Sequence, residues 1–316
     1  YMSILDVVLK LLIVYLLYIS PWDKLVVYAA LLLCVGLLMR WIYANYCQKH
    51  FPEAHYRHHF DKALLKEMFS FSGWSLWGNL AVMLYSQGLN MMLNIFFGPV
   101  VNAARGIALQ VQGVVQGFVG NFQMALNPQI TKSYATGDLA QMHSLMFRSA
   151  RFSFFLLFLL ALPILIEANY ILQLWLGNFP EETIVFMRWI IGTSLIYTIA
   201  NPCVIANQAT GKVKVYQAVV GGILLLILPA SYIALVLGAP AYSVFIVHFC
   251  VESIAQFSRM YMLRKLIDLP LREYLNHIYL PIVIVVFVSI LLPIYLHTQM
   301  SEGFLRLLCV GSVCVI

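Results

Sequence analysis

The sequence is poor in charge. Only 10% of its 316 residues are Asp, Glu, Lys or Arg, against about 25% in an ordinary soluble domain. A surface facing water needs far more. This shortage argues against a soluble enzyme, a disordered tail and a nucleic-acid-binding domain. The six cysteines, Cys34, Cys47, Cys203, Cys250, Cys309 and Cys314, form no CxxC and keep no ligand spacing with histidine. Most sit in apolar runs and read as small hydrophobes, so a secreted disulfide scaffold is excluded too. No basic n-region followed by a cleavage site marks a signal peptide. No P-loop is present: Gly211-Lys212 lacks the glycine five residues upstream and is followed by Val213. No nucleophile–base arrangement stands out, so neither an enzyme nor a cofactor is expected.

Apolar residues are abundant, at 62% of the chain. A spanning helix needs about 20 of them in a row. Runs bounded by Gly and Pro predict about ten transmembrane helices. They fall near 4–20, 25–46, 70–97, 100–126, 150–173, 183–207, 214–237, 241–265, 275–297 and 303–316. The breaks include Pro21, Gly98-Pro99, Asn127-Pro128, Gly211 and Pro270. Most of the nineteen Lys and Arg then fall on one common side, which the positive-inside rule makes cytoplasmic. Two cytoplasmic segments are long. The first, 47–69, ends in Phe60, Leu64, Leu65, Met68 and Phe69 on one helical face, the pattern of an interfacial amphipathic helix. The second is 127–149. Trp22, Trp175 and Trp189 lie near the proposed external ends, where interfacial aromatics belong.

The third and fourth spans are unusually polar. Gln87, Asn90 and Asn94 share one face of the third; Arg105, Gln112 and Gln116 share one face of the fourth. An unpaired amide facing lipid costs several kcal/mol. Either these groups bond between helices, or they line a hydrated cavity suited to sugar hydroxyls, which both donate and accept. Their number on two adjacent helices favours the cavity. Arg105 reads either as an anion site, since its fork binds phosphate bidentately, or as a side chain snorkelling to the external interface. His248 and Glu252 stand i, i+4 in the eighth span, with Gln256 and Arg259 continuing the stripe. A self-satisfied pair is favoured there over an ion-coupling relay. Asp6 and Lys10 form another i, i+4 pair. The cluster His50, His55, His58 and His59 lacks a recognised metal spacing and reads as a solvated basic loop beside anionic headgroups. No metal site is expected.

The stretch Phe97-Gly98-Pro99-Val100-Val101-Asn102-Ala103-Ala104-Arg105-Gly106-Ile107-Ala108 resembles the segment joining two helices of bacterial polysaccharide flippases. These are the Wzx-like, O-antigen flippase branch of the MATE-containing multidrug/oligosaccharidyl-lipid/polysaccharide exporter superfamily. Phe71-Ser72-Gly73-Trp74, Asn127 to Tyr134 and Ala209-Thr210-Gly211-Lys212 are similar to other segments of that branch. The resemblance covers nearly the whole chain. It implies an all-α polytopic membrane protein with a MATE-like fold, two helical bundles around a central cavity, in a fragment lacking about four N-terminal helices. Residues 1–46 would then be the last two helices of the N-terminal bundle and 47–69 a cytoplasmic linker. Residues 70–265 would be the C-terminal six-helix bundle, and 266–316 additional helices. The implied activity is flipping undecaprenyl-diphosphate-linked oligosaccharide across the bacterial inner membrane by alternating access, in lipopolysaccharide or capsule synthesis. The implied partners are that substrate, membrane lipids and the polysaccharide polymerase machinery, with no nucleic acid. The alternative is a cation-coupled multidrug exporter of the same fold, whose cavity should be aromatic and acidic rather than amide-lined.

Overall fold

A computed structural model describes residues 2–19, 23–52 and 61–315. Pro21, Trp22, His55, His58, His59 and Phe60 lie outside them, and with them most of the histidine cluster. Among the described residues the chain is entirely helical, and six helices are long and apolar enough to cross a membrane. This is the composition and build of a helical membrane protein.

The chain divides into two compact units, Tyr1–Lys62 and Ala63–Ile316, at a point inside the segment read as a linker. The first unit holds α1 (Met2–Ile19) and α2 (Lys24–His50), which pack on each other and bury Ile13 and Met39. Asp23 caps α2, its carboxylate accepting from the Leu25 N–H at 2.9 Å. The expected Lys10–Asp6 ion pair is present on α1, at 2.6 Å.

The second unit holds α3 (Lys62–Phe97) from Ala63 onward, and in this helix the described part of the amphipathic stretch, from 62, and the third span are continuous. Gly98, with φ of +83°, then turns the chain, and Pro99 occupies the first turn of α4 (Pro99–Ala135). Only glycine adopts that conformation cheaply, and proline at a helix start gives up an N–H that has no partner anyway. The expected break at Asn127-Pro128 does not occur. α4 runs through Pro128 for two further turns, so most of the long 127–149 segment is helix. There the Thr131 hydroxyl donates to the Asn127 carbonyl at 3.2 Å, in a stretch where Pro128 has no N–H to offer the turn before it. The reversal comes instead at Gly137, φ +77°, and Asp138 caps α5 (Leu139–Ile166) by accepting from the Gln141 N–H.

Prolines decide the remaining interruptions. α6 (Ala168–Leu176) is set off from α5 at Glu167, four residues after Pro163. α7 (Glu182–Ala209) is unbroken. The seventh predicted span divides at Leu226 into α8 (Val213–Leu225) and α9 (Ile227–Val236), because Pro229 has no N–H for the Leu225 carbonyl. α10 (Ser243–Leu266) follows. The ninth span opens with α11 (Leu271–Tyr274) and a π turn, Leu275–Tyr279, before α12 (Leu280–Gln299). Pro281 falls just past that turn, where an ordinary ladder would need its missing N–H. α13 (Phe304–Val315) packs back on α12 and α5.

α4, α5 and α7 pack against one another, and α7 against α10, which also meets α8 and α9. One apolar core lies among them, with Leu93, Ala104, Ala108, Phe186, Ile191 and Val244 buried. A second, around Ile130, Met142, Met146, Cys203, Leu263 and Tyr274, joins α5 and α7 to the start of the ninth span.

Candidate functional site: a polar cavity inside the second unit

α4 and α10 are absent from the six strongly apolar helices. Both contribute walls to a cavity of about 460 Å³ within the second unit. Its volume falls in the range of about 300–1,000 Å³ usual for small-molecule sites. α3, α7 and α8 complete the lining. The apolar parts include Leu89, Ile190, Val220 and Phe245; the polar parts include Asn79, Ser86, Thr193, Gln208 and Gln217. Three tyrosines, Tyr85, Tyr197 and Tyr216, also face it. Side chains of α8 and α9 press onto glycines of α3: a Cβ at Gly78 would overlap the Gln217 carboxamide, and one at Gly88 would overlap Leu228.

Of the residues singled out in the sequence, Arg105, Gln112, His248, Glu252 and Arg259 line this cavity. Arg105 is 8% exposed. Its Nη1 donates to Asn90 Oδ1 at 3.3 Å and its Nη2 to the Ser86 carbonyl at 3.0 Å, with the Ser86 hydroxyl at 3.5 Å. All three acceptors are neutral, and no described carboxylate lies within ion-pair distance. Asn90 thus reaches the site through Arg105. Gln87 and Asn94 lie on an exposed side of α3 and do not line the cavity. Gln112 donates to Ser194 Oγ at 3.0 Å, and the Ser194 hydroxyl donates in turn to the Ile190 carbonyl at 3.0 Å. Gln123 makes a similar bond to the Thr198 carbonyl. These amides tie α4 to α7, so interhelical bonding takes part of the polar face, and Gln112 also lines the cavity. Gln116 lies off the cavity, its buried Oε1 without a hydrogen-bond partner among the described residues.

Glu252 is paired, with Arg259 two turns along α10 rather than with His248. Arg259 Nη1 donates to Glu252 Oε1 at 2.7 Å, and both side chains are 3% exposed. His248 packs its ring on Tyr85, with centroids 5.1 Å apart. Gln256 donates to the Tyr274 hydroxyl at 3.3 Å, joining this stripe to the second core. The i, i+4 spacing of His248 and Glu252 pointed to the wrong neighbour because Arg259 carries a full charge and a longer reach.

Sequence reasoning noted Tyr85 among the polar residues of the third span but missed Tyr197 and Tyr216 and the α7–α8 amides Gln208 and Gln217. They lie on α7 and α8, outside the two polar spans, and only the packing of separate helices brings them to the residues of α3 and α4. It also missed a buried ionic cluster away from the cavity. Glu167, 1% exposed, accepts from Arg306 Nε at 3.1 Å and Nη2 at 2.7 Å through one oxygen. Its other oxygen lies 2.8 Å from His297 Nδ1. Among the described residues no group of His, Cys, Asp and Glu is arranged to hold a metal. Comparison with protein families, with curated proteins and with solved structures finds no match for this chain.

Proposed function

We propose that the protein is a transporter of the bacterial inner membrane that flips an undecaprenyl-diphosphate-linked oligosaccharide by alternating access, on a MATE-like arrangement of about ten spans. The observation that carries this reading is Arg105: a permanent cation at a polar cavity, held by neutral acceptors only. A guanidinium so placed has its positive charge uncompensated, and a diphosphate would supply the missing anion through paired, charge-assisted hydrogen bonds. Around it, hydroxyls and amides offer donors and acceptors for sugar hydroxyls. A glycan cannot cross hydrocarbon unaccompanied, whereas a polyprenyl tail loses nothing by remaining in it. The cavity would therefore need to take only the headgroup.

The alternative, a cation-coupled multidrug exporter, draws support from the same walls. Tyr85, Tyr197, Tyr216 and Phe245 are aromatic, and Glu252 is acidic. The ion pair with Arg259 weighs against it, because it leaves Glu252 no free charge with which to attract a cationic drug.

Transport by Arg105 variants at matched membrane levels tests the proposal. Arg105→Lys keeps the charge and loses the fork, so it should retain part of the activity; Arg105→Ala should lose most of it. Equal, near-normal transport of the lipid-linked glycan by both would show that Arg105 does not bind the diphosphate.

A further inference from the structure

A second cavity, of about 580 Å³, lies at one end of α5, against α11 and the π turn. Its position along the helices is set by sequence. Arg148 and Arg151 immediately precede the apolar run of α5 that begins at Phe152, and Glu273 and His277 precede the apolar run of α12. Both Leu139–Ile166 and Leu271–Gln299 are long and apolar enough to cross a membrane. The charged ends of two adjacent spans therefore stand together where headgroups meet the hydrocarbon.

Four ionisable side chains of full charge line this cavity: Arg148 and Arg151, Asp268 and Glu273. Two are cations and two are anions, yet none takes part in an ion pair among the described residues. An aromatic part of the lining is fixed independently. Phe147 stacks between His143 and His277, with centroids 6.4 and 6.1 Å away, and sets its edge against Tyr274. His143 is held in turn by the Ile267 carbonyl at 2.9 Å. The wall is thus held by ring stacking, while the charges around it form no ion pair among the described residues, Arg151 lying over the Phe152 ring at 5.4 Å.

A purely anionic headgroup would gain from the arginines and be repelled by the two carboxylates. A purely cationic one would meet the reverse. A ligand carrying both a phosphate and an ammonium satisfies all four. From this we infer that the cavity binds the headgroup of a zwitterionic phospholipid with a primary amine, as in phosphatidylethanolamine. Arg148 and Arg151 hold the phosphodiester, and Asp268 and Glu273 accept hydrogen bonds from the ammonium. A primary ammonium offers three N–H donors; a quaternary ammonium offers none and loses these bonds.

The test uses the purified full chain in detergent and counts bound lipid by native mass spectrometry during titration with dioctanoyl lipids. Dioctanoyl-phosphatidylethanolamine should bind about tenfold more tightly than dioctanoyl-phosphatidylcholine, the range expected when one charged hydrogen-bonding partner is lost. Asp268→Asn/Glu273→Gln should reduce this preference to about twofold or less while phosphatidylglycerol binds no worse. Asn is chosen at 268 because the residue has a φ of +52°, which Asn tolerates. Arg148→Gln/Arg151→Gln should weaken all three lipids. Equal binding of the ethanolamine and choline lipids by the unaltered protein would overturn the inference, even if every variant failed to fold. So would tighter binding of phosphatidylglycerol than of phosphatidylethanolamine, which would mark a simple basic patch. Free O-phosphoethanolamine competing as well as the dioctanoyl lipid would overturn the membrane source and assign the site to a soluble phosphate ester.

Discussion

Replacing Glu252 by Gln should strand a buried guanidinium. Arg259 Nη1 lies 2.7 Å from Glu252 Oε1, and both side chains are 3% exposed, so solvent screens the pair very little. At an effective dielectric constant near 20, two unit charges about 4 Å apart attract by about 4 kcal/mol. Removing one member of a buried pair typically costs about 3–5 kcal/mol, because the other charge stays behind without compensation. With about 2–4 °C of midpoint per kcal/mol for a unit of this size, Glu252→Gln should lower the thermal midpoint by about 6–20 °C. Arg259→Met should cost less, because a stranded carboxyl group can bind a proton and a guanidinium cannot lose one. The double variant Glu252→Gln/Arg259→Met should be more stable than Glu252→Gln alone, since no charge remains to be buried. The assay is thermal unfolding in detergent followed by size exclusion, with all four proteins completing a double-mutant cycle. Additive effects across that cycle would refute the reasoning and show that the two groups do not depend on each other.

Three further outcomes are expected. Glu167→Gln removes both the Arg306 and His297 contacts and should destabilise the protein by about 3–5 kcal/mol, whereas Asn169→Ala, which loses only an exposed bond to Glu302, should cost less than about 1 kcal/mol; unfolding midpoints compare them. Gln112→Leu breaks the bond to Ser194 and should lower stability by about 0.5–1.5 kcal/mol, while a larger drop in transport than its midpoint explains would mean that Gln112 also meets substrate. Single cysteines placed near 47–69, 128–149, 208–214 and 265–274 should escape labelling from outside intact cells, and labelling within 47–69 would reverse the proposed orientation.

Hydrophobic runs and their Gly/Pro boundaries made most of the helical fold legible. Every predicted span has a helix, or two helices parted at a break, in its place. Pro128 misled because proline weakens a helix without having to end it. The break at Leu226 was missed because the signal, Pro229, lies inside an apolar run with no other mark. Within the site, the i, i+7 relation of Arg105 and Gln112 was readable, as was their placement on one face. What those groups bond to was not. Asn90, Ser86 and Ser194 belong to other helices, and their pairing follows from packing angles that no local pattern encodes. The same holds for His297 and Arg306, which lie 130 and 139 residues beyond Glu167 in sequence yet share its carboxylate.

The most direct measurement of the central claim is headgroup translocation by the purified protein in sealed vesicles. A fluorescent polyprenyl-diphosphate oligosaccharide is placed in both leaflets and its exposure to an external glycosidase is followed over time. The proposal predicts that the protected fraction is exhausted in vesicles containing the protein and persists in empty ones, and that Arg105→Ala largely restores protection. It also predicts no accumulation of a lipophilic cationic dye by the same vesicles under an ion gradient. Gradient-driven dye transport together with a glycan that stays protected would contradict the flippase and establish the multidrug exporter in its place.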